Sequence, residues 1–139
     1  MILLRGTTDT LELVTGSAVT VDVLVAWSDL VDAATTASPS RTATAIATAT
    51  TTTILAAAGS ATTTRGVKSI TVRNKHASAS TLVTVNLNLS ATLFQIMSVT
   101  LAFGETLEYE EGMGWRVFDA TGAVKIASTG AGRWLKTTV

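Results

Sequence analysis

The sequence predicts an all-β protein: a single antiparallel β-sandwich of about eight or nine short strands, with an N-terminal arm and an extended C-terminal tail. Three observations carry that expectation. Apolar and polar residues alternate with period two in one segment after another. Turn-forming Gly, Asn and Ser residues separate these segments at the regular spacing of antiparallel sandwiches. No segment keeps the 3.6-residue apolar period of an amphipathic helix.

The clearest alternation is Val19, Val21, Val23, Val25 and Trp27 against Thr20, Asp22 and Ser28, which predicts a strand from about Ala18 to Ser28 with its odd face buried. An earlier strand runs near Leu11 to Thr15, set off by the turn Thr15-Gly16-Ser17. Residues 33–64 are rich in Thr and Ala. The β-branched Thr residues favour extended chain, so Thr50 to Ala57 reads as a strand anchored by Ile54 and Leu55. The flanking parts read as loop or edge strand, with Pro39 in a loop Ser38-Pro39-Ser40. Val67 to Arg73 alternates again, followed by the polar turn NKHASAS. Val83, Val85, Leu87 and Leu89 then share one strand face, and Leu93, Gln95, Met97, Val99 and Leu101 share the next.

In LAFGETLEYEEGMGWRVFDATG, from Leu101 to Gly122, Gly104 permits a turn with positive φ. Leu107 and Tyr109 alternate with Thr106, Glu108 and Glu110; Trp115, Val117 and Asp119 alternate with Arg116 and Phe118. Two such runs joined by a short link with Gly112 and Gly114 read as a hairpin, closed by turn chemistry at Asp119 to Gly122. The chain thus divides into a sandwich domain, 1–127, and a tail, 128–139.

Bulk properties narrow the function classes. With 139 residues and 47% hydrophobic residues, the chain is long and apolar enough for one domain with a modest core. Cysteine is absent, which removes disulfides, thiolate catalysis and Cys metal sites. The 10 basic and 10 acidic residues cancel, but they fall in blocks: acids before Ala33, only bases from there to Gly104, acids again from Glu105 to Asp119. Such blocks either steer neighbouring copies into register or solvate different faces. The uncharged stretch from Arg41 to Arg65 is too rich in Thr and Ser for a membrane span, and Met1 to Leu4 is too short for a secretory signal.

The residues offer little chemistry, and the expectation is that the protein is no enzyme and needs no cofactor or metal. His76 is the only histidine and sits in a polar turn, without the further ligands that a metal site requires. Glu108 and Glu110 share a strand face and are the only pair suggesting two-carboxylate hydrolysis; with Glu111 they suggest a calcium site, but no calcium-loop motif is present. Arg65, Lys68, Arg73 and Lys75 lack the interleaved aromatics of a nucleic-acid surface. The segments that ask for a partner are apolar and terminal. Trp134 and Leu135, in the short Gly-containing tail, either fold back on the sandwich or dock into a neighbouring copy. Met1, Ile2, Leu3 and Leu4 form either an edge strand or an inter-subunit arm.

The pieces DTLELVTGSAVTVDVLVAW, TATTTTILAA, RGVKSITVRNKHASASTLVTV and LAFGETLEYEEGMGWRVFDATGAVK, together spanning about Asp9 to Lys125, resemble small structural proteins encoded among the virion genes of tailed bacteriophages. The resemblance implies a many-copy β-sandwich building block of the virion, assembled in the host cytoplasm, with no catalytic residue. On that basis the chain is expected to be a short fibre or tail- or neck-associated appendage component. It would form a homo-oligomer, a trimer, and contact portal, adaptor or major capsid proteins. A head decoration (cement) protein is the alternative. A carbohydrate-binding module using Trp115 or Trp134 is the third reading.

Overall fold

Ten strands in two antiparallel sheets form the described part of the molecule, residues 1–32 and 35–125 of a computed structural model. In chain order they are β1 (Ile2–Arg5), β2 (Thr10–Thr15), β3 (Val21–Val31), β4 (Ser38–Ile46), β5 (Thr51–Leu55), β6 (Thr63–Asn74), β7 (Thr81–Leu89), β8 (Thr92–Leu101), β9 (Thr106–Glu110) and β10 (Gly114–Phe118). The predicted sandwich is correct in class. The strands beyond the expected eight or nine are β1 and β4, where the sequence left the choice between edge strand and arm or loop. The tail from residue 128 and its boundary with the sandwich lie outside the described residues.

One sheet has the order β10-β9-β6-β3-β4, with β1 also paired to β6; the other has the order β5-β2-β7-β8. β3 runs along one flank of β6. The other flank is shared by β1, opposite Thr64 to Val67, and β9, opposite Ser69 to Arg73. Period-two alternation then sends one face of each strand inward. Val21, Val23, Val25 and Trp27 from β3, Leu11 and Leu13 from β2, Val83 and Val85 from β7, and Leu107 and Tyr109 from β9 meet between the sheets with Ile70, Val72 and Leu101. Fully burying each of these side chains contributes about 1.5–3 kcal/mol.

Three pairings carry a bulge that changes the phase simple alternation predicts: β2–β5 at Ile54, β3–β6 at Lys68 and β7–β8 at Ile96. Ala26 pairs with Ser69 but Trp27 pairs with Val67, which leaves Lys68 unmatched. The extra residue allows both Val67 and Ile70 to point inward. Val85 likewise pairs with Met97 and Asn86 with Gln95, which leaves Ile96 unmatched in β8. The expected single face Leu93-Gln95-Met97-Val99-Leu101 is therefore broken at Ile96. Phe94, not Leu93, lies opposite the inward Leu87, and Leu93 lies opposite Asn88.

Pro39 also departs from its expected place in a loop. It is the second residue of β4, an edge strand, opposite Ser28. Proline lacks a donor N–H, and an edge strand leaves one flank without a ladder, so this is a position where it is tolerated.

Two polar connectors tie the sheets together. Asn74, at the end of β6, is fully buried. Its Nδ2 donates to the carbonyls of Ala79 (2.8 Å) and Leu101 (3.0 Å), and its Oδ1 accepts from the His76 N–H at 3.0 Å. Nδ1 of His76 in turn accepts the backbone N–H groups of Ser78 and Ala79. The NKHASAS segment is thus a turn, as expected, but one organised from a buried asparagine. At the other end, Arg65 donates to both carboxylate oxygens of Asp29 and to the Ala56 carbonyl, with its guanidinium over the Trp27 ring.

Candidate assembly surface

A sheet edge is a row of backbone N–H and C=O groups without partners, and natural folds guard such edges with brevity, charge, proline or cover. Within the described residues this protein guards most of its edges. β1 has four residues and ends in Arg5. β5 has five residues. β4 carries Pro39 and Arg41. β10 is covered by the chain that follows it: the Asp119 N–H donates to the Ala123 carbonyl at 2.8 Å, and the Lys125 N–H donates to the Val117 carbonyl at 2.6 Å. That cover is anchored by Asp119, whose Oδ1 accepts from the Thr121 hydroxyl (2.7 Å) and from the N–H groups of Thr121 and Ala123.

β8 is different. It has ten residues, is paired only through β7, and contains neither proline nor a charged residue. The absence of charge extends well beyond the strand: from Ala77 to Gly104 there is no Asp, Glu, Lys or Arg. Folding gathers this stretch into the β7–β8 hairpin, where Leu93 (56% exposed), Phe94 (49%) and Leu82 (48%) stand on or beside the edge. Isolated exposed leucines need no explanation. An uncharged ten-residue edge with three large exposed apolar side chains is the kind of surface that marks an interaction site.

The tip of this hairpin is strained. Leu89 pairs with Thr92, so the turn is the two residues Ser90 and Ala91, with φ of 50° and 69°. Positive φ at both central positions is the geometry of a type I′ turn, which Asn-Gly satisfies and alanine resists. Backbone strain of about 1–3 kcal/mol at such a residue tends to concentrate at functional places. Here it lies at the end of the open edge.

The charged residues lie elsewhere, and most of those described engage one another. Arg65 pairs with Asp29, Lys68 with Glu111, Lys75 with Asp22, and Lys125 with Glu105. The alternating charge blocks of the sequence therefore meet within one chain. Glu108 and Glu110 do share a face, but Arg116 on the neighbouring strand donates to both, at 3.3 and 2.8 Å. Among the described residues no three His, Asp or Glu side chains are grouped to hold a metal ion, and no helix is long and apolar enough to cross a membrane.

Of the terminal residues expected to mediate assembly, Met1 is exposed, Ile2 is half-buried against the core, Leu3 points outward and Leu4 is fully buried. The segment is an edge strand of its own sheet, paired with β6. Trp134 and Leu135 lie outside the described residues. Trp115, a candidate sugar platform, packs against the core beside Tyr109, with ring centroids 5.1 Å apart. The β8 edge was missed in the sequence, although its signal was present as the uncharged run after His76. No family model, curated protein or solved structure matches this chain.

Proposed function

We propose that this chain is a structural component of a tailed-bacteriophage virion, a short fibre or tail- or neck-associated appendage protein that works by assembling with copies of itself and with portal, adaptor or capsid proteins. The observation that carries the reading is the long, uncharged, apolar β7–β8 edge on a small sandwich in which most charged side chains of the described residues pair internally. A surface of that kind favours burial against another protein over solvation or recognition of a charged ligand. The resemblance of the segments from Asp9 to Lys125 to virion proteins supplies the setting.

Antibody-gold labelling of intact particles from the source phage, viewed by negative stain, tests it. Label at the tail or neck supports the appendage reading. Label scattered over the head makes the chain a decoration protein. Absence of label from particles that contain the other structural proteins overturns the virion reading.

A further inference from the structure

We infer that the β8 edge is a homotypic pairing site. Two copies of the chain join β8 to β8, antiparallel about a two-fold axis, so that their four-stranded sheets become one continuous sheet of eight. This rests on the assembly reading above only in that it names the surface through which copies meet.

The occupant follows from four observations. First, the free groups along β8 are backbone donors and acceptors, and the partner that satisfies such a row in register is another β-strand. Second, the edges a second copy offers are few. β1 and β5 are short, β4 has a proline as its second residue and carries Arg41, and the five-residue β10 is covered at its end by Ala123 to Lys125. Among the described residues, its own β8 is the long edge left open. Third, like charges facing each other are the usual obstacle to self-pairing. β8 has no charge, and neither does any residue from Ala77 to Gly104, so two copies approach without repulsion. An interface without charge also has no electrostatic means of selecting a different partner. Fourth, the one feature that would discourage edge pairing is the bulge at Ile96, which bends and twists the strand. A two-fold axis repeats that bend on the other side, so identical copies match where a straight foreign strand would not follow.

Such an isologous interface is closed, with the same residues contributed by both partners. It joins copies in pairs, in place of the trimer expected from the sequence. Leu93, Gln95, Ser98 and Thr100 are exposed along the strand and lie on one sheet face, so they meet their counterparts across the axis.

The absence of native cysteine makes the test clean. Single cysteines placed at Leu93, Gln95, Ser98 and Thr100 of the full chain are oxidised and analysed on non-reducing gels. Antiparallel pairing about a two-fold predicts rapid disulfide dimers at the position nearest the axis, with yield falling towards both ends of the strand. In parallel, sedimentation equilibrium is measured for the parent chain and for Leu93→Lys and Gln95→Lys, both at exposed positions. The parent should dimerise, and each lysine should weaken dimerisation by at least about tenfold while the melting temperature of the domain is retained. A monomeric parent overturns the inference, as does a dimer unaffected by either lysine or an absence of position-dependent crosslinking. The two readings fail separately. Dimerisation through β8 with no label on particles removes the virion role and leaves the edge. Label on particles with a monomeric chain removes the edge and leaves the virion role.

Discussion

The side-chain amide of Asn74 donates to the backbone carbonyl of Leu101, at 3.0 Å and out of contact with water, and so ties β6 of one sheet to the end of β8 in the other. The same amide donates to Ala79 and the same side chain accepts from the His76 N–H. The Asn74 backbone adds two bonds across the sheet corner, accepting from Gly104 at 2.8 Å and donating to Glu105 at 3.0 Å. One residue therefore sets the spacing between the sheets where the β8 edge ends.

Asn74→Ala should be among the most damaging single changes outside the apolar core. It leaves the buried Leu101 carbonyl without its partner, at about 1–3 kcal/mol for a buried group left unsatisfied, and removes the half-buried bonds to the Ala79 carbonyl and from the His76 N–H as well. A loss of about 3 kcal/mol or more in urea unfolding is expected, enough to unfold a large share of a domain of ordinary stability. A loss below about 1 kcal/mol would mean the corner is held by its backbone bonds alone.

Arg65 closes the opposite end of the sandwich. It holds Asp29 through two nitrogens, at 2.7 and 2.8 Å, and reaches the Ala56 carbonyl after β5 with a third. Both side chains retain some exposure, 13% and 25%, so the pair is screened more than a fully buried one. Arg65→Ala should cost about 2–3 kcal/mol, because hydrogen bonds to charged groups and the ring contact with Trp27 are lost together. Arg65→Lys should recover little, since an ammonium cannot reproduce the planar two-point contact. Equal stability of the lysine variant and the parent would refute the role assigned to the fork.

The phase of β7 is tested at Val85, which is fully buried between the sheets. Val85→Asp places an unpaired charge in the core and should abolish folding, read as loss of cooperative thermal unfolding. Leu24→Gln, on the outer face of β3 and 43% exposed, should stay within about 0.5 kcal/mol of the parent. A cooperative, parent-like melt for Val85→Asp would show the strand to be turned the other way.

The strained hairpin tip predicts a stabilising change. Ala91→Gly, or the pair Ser90→Asn and Ala91→Gly, suits a turn in which both residues have positive φ. The expected gain is about 1 kcal/mol for relief of the left-handed conformation at alanine. It should raise the midpoint of chemical unfolding without altering its slope. A loss of stability would mean that contacts made by the Ala91 methyl outweigh the strain.

Asp119 links pH to the cover over β10. The Thr121 hydroxyl first, then the backbone N–H groups of Ala123 and the turn, hold its carboxyl below the usual aspartate value. A depressed value means that the ionised form is the one the fold stabilises. Its contribution is present above the unfolded-state value and is lost as pH falls through the lower, folded one. Amide exchange at Ala123 and Lys125 should therefore quicken in strongly acidic solution, and in Asp119→Ala it should be quick at every pH. Unchanged protection at Ala123 in that variant would dissociate the carboxylate from the cover.

The all-β class, the buried odd face from Val19 to Trp27 and the hairpin of Leu107 and Tyr109 with Trp115 and Val117 were determined by the sequence itself. Alternation, β-branching and turn glycines are local properties, and a strand of period two shows its buried face wherever one side is packed. Gly104, at φ +77°, is legible for the same reason, since the conformation a turn needs is written in the residue that tolerates it. Tertiary structure decided what depends on residues distant in the chain. The bulges at Lys68 and Ile96 arise from matching one strand to another, and each inverts the alternation beyond it, so Phe94 and Leu93 exchange faces without any local signal. Asn74 reads as a turn residue until folding brings Leu101 beside it. The uncharged run from Ala77 to Gly104 is plain in the sequence, but only strand order leaves β8 at a sheet edge while β7 is enclosed between β2 and β8. An edge is defined by what does not pair with it, and that is fixed only when every other strand has found its neighbour.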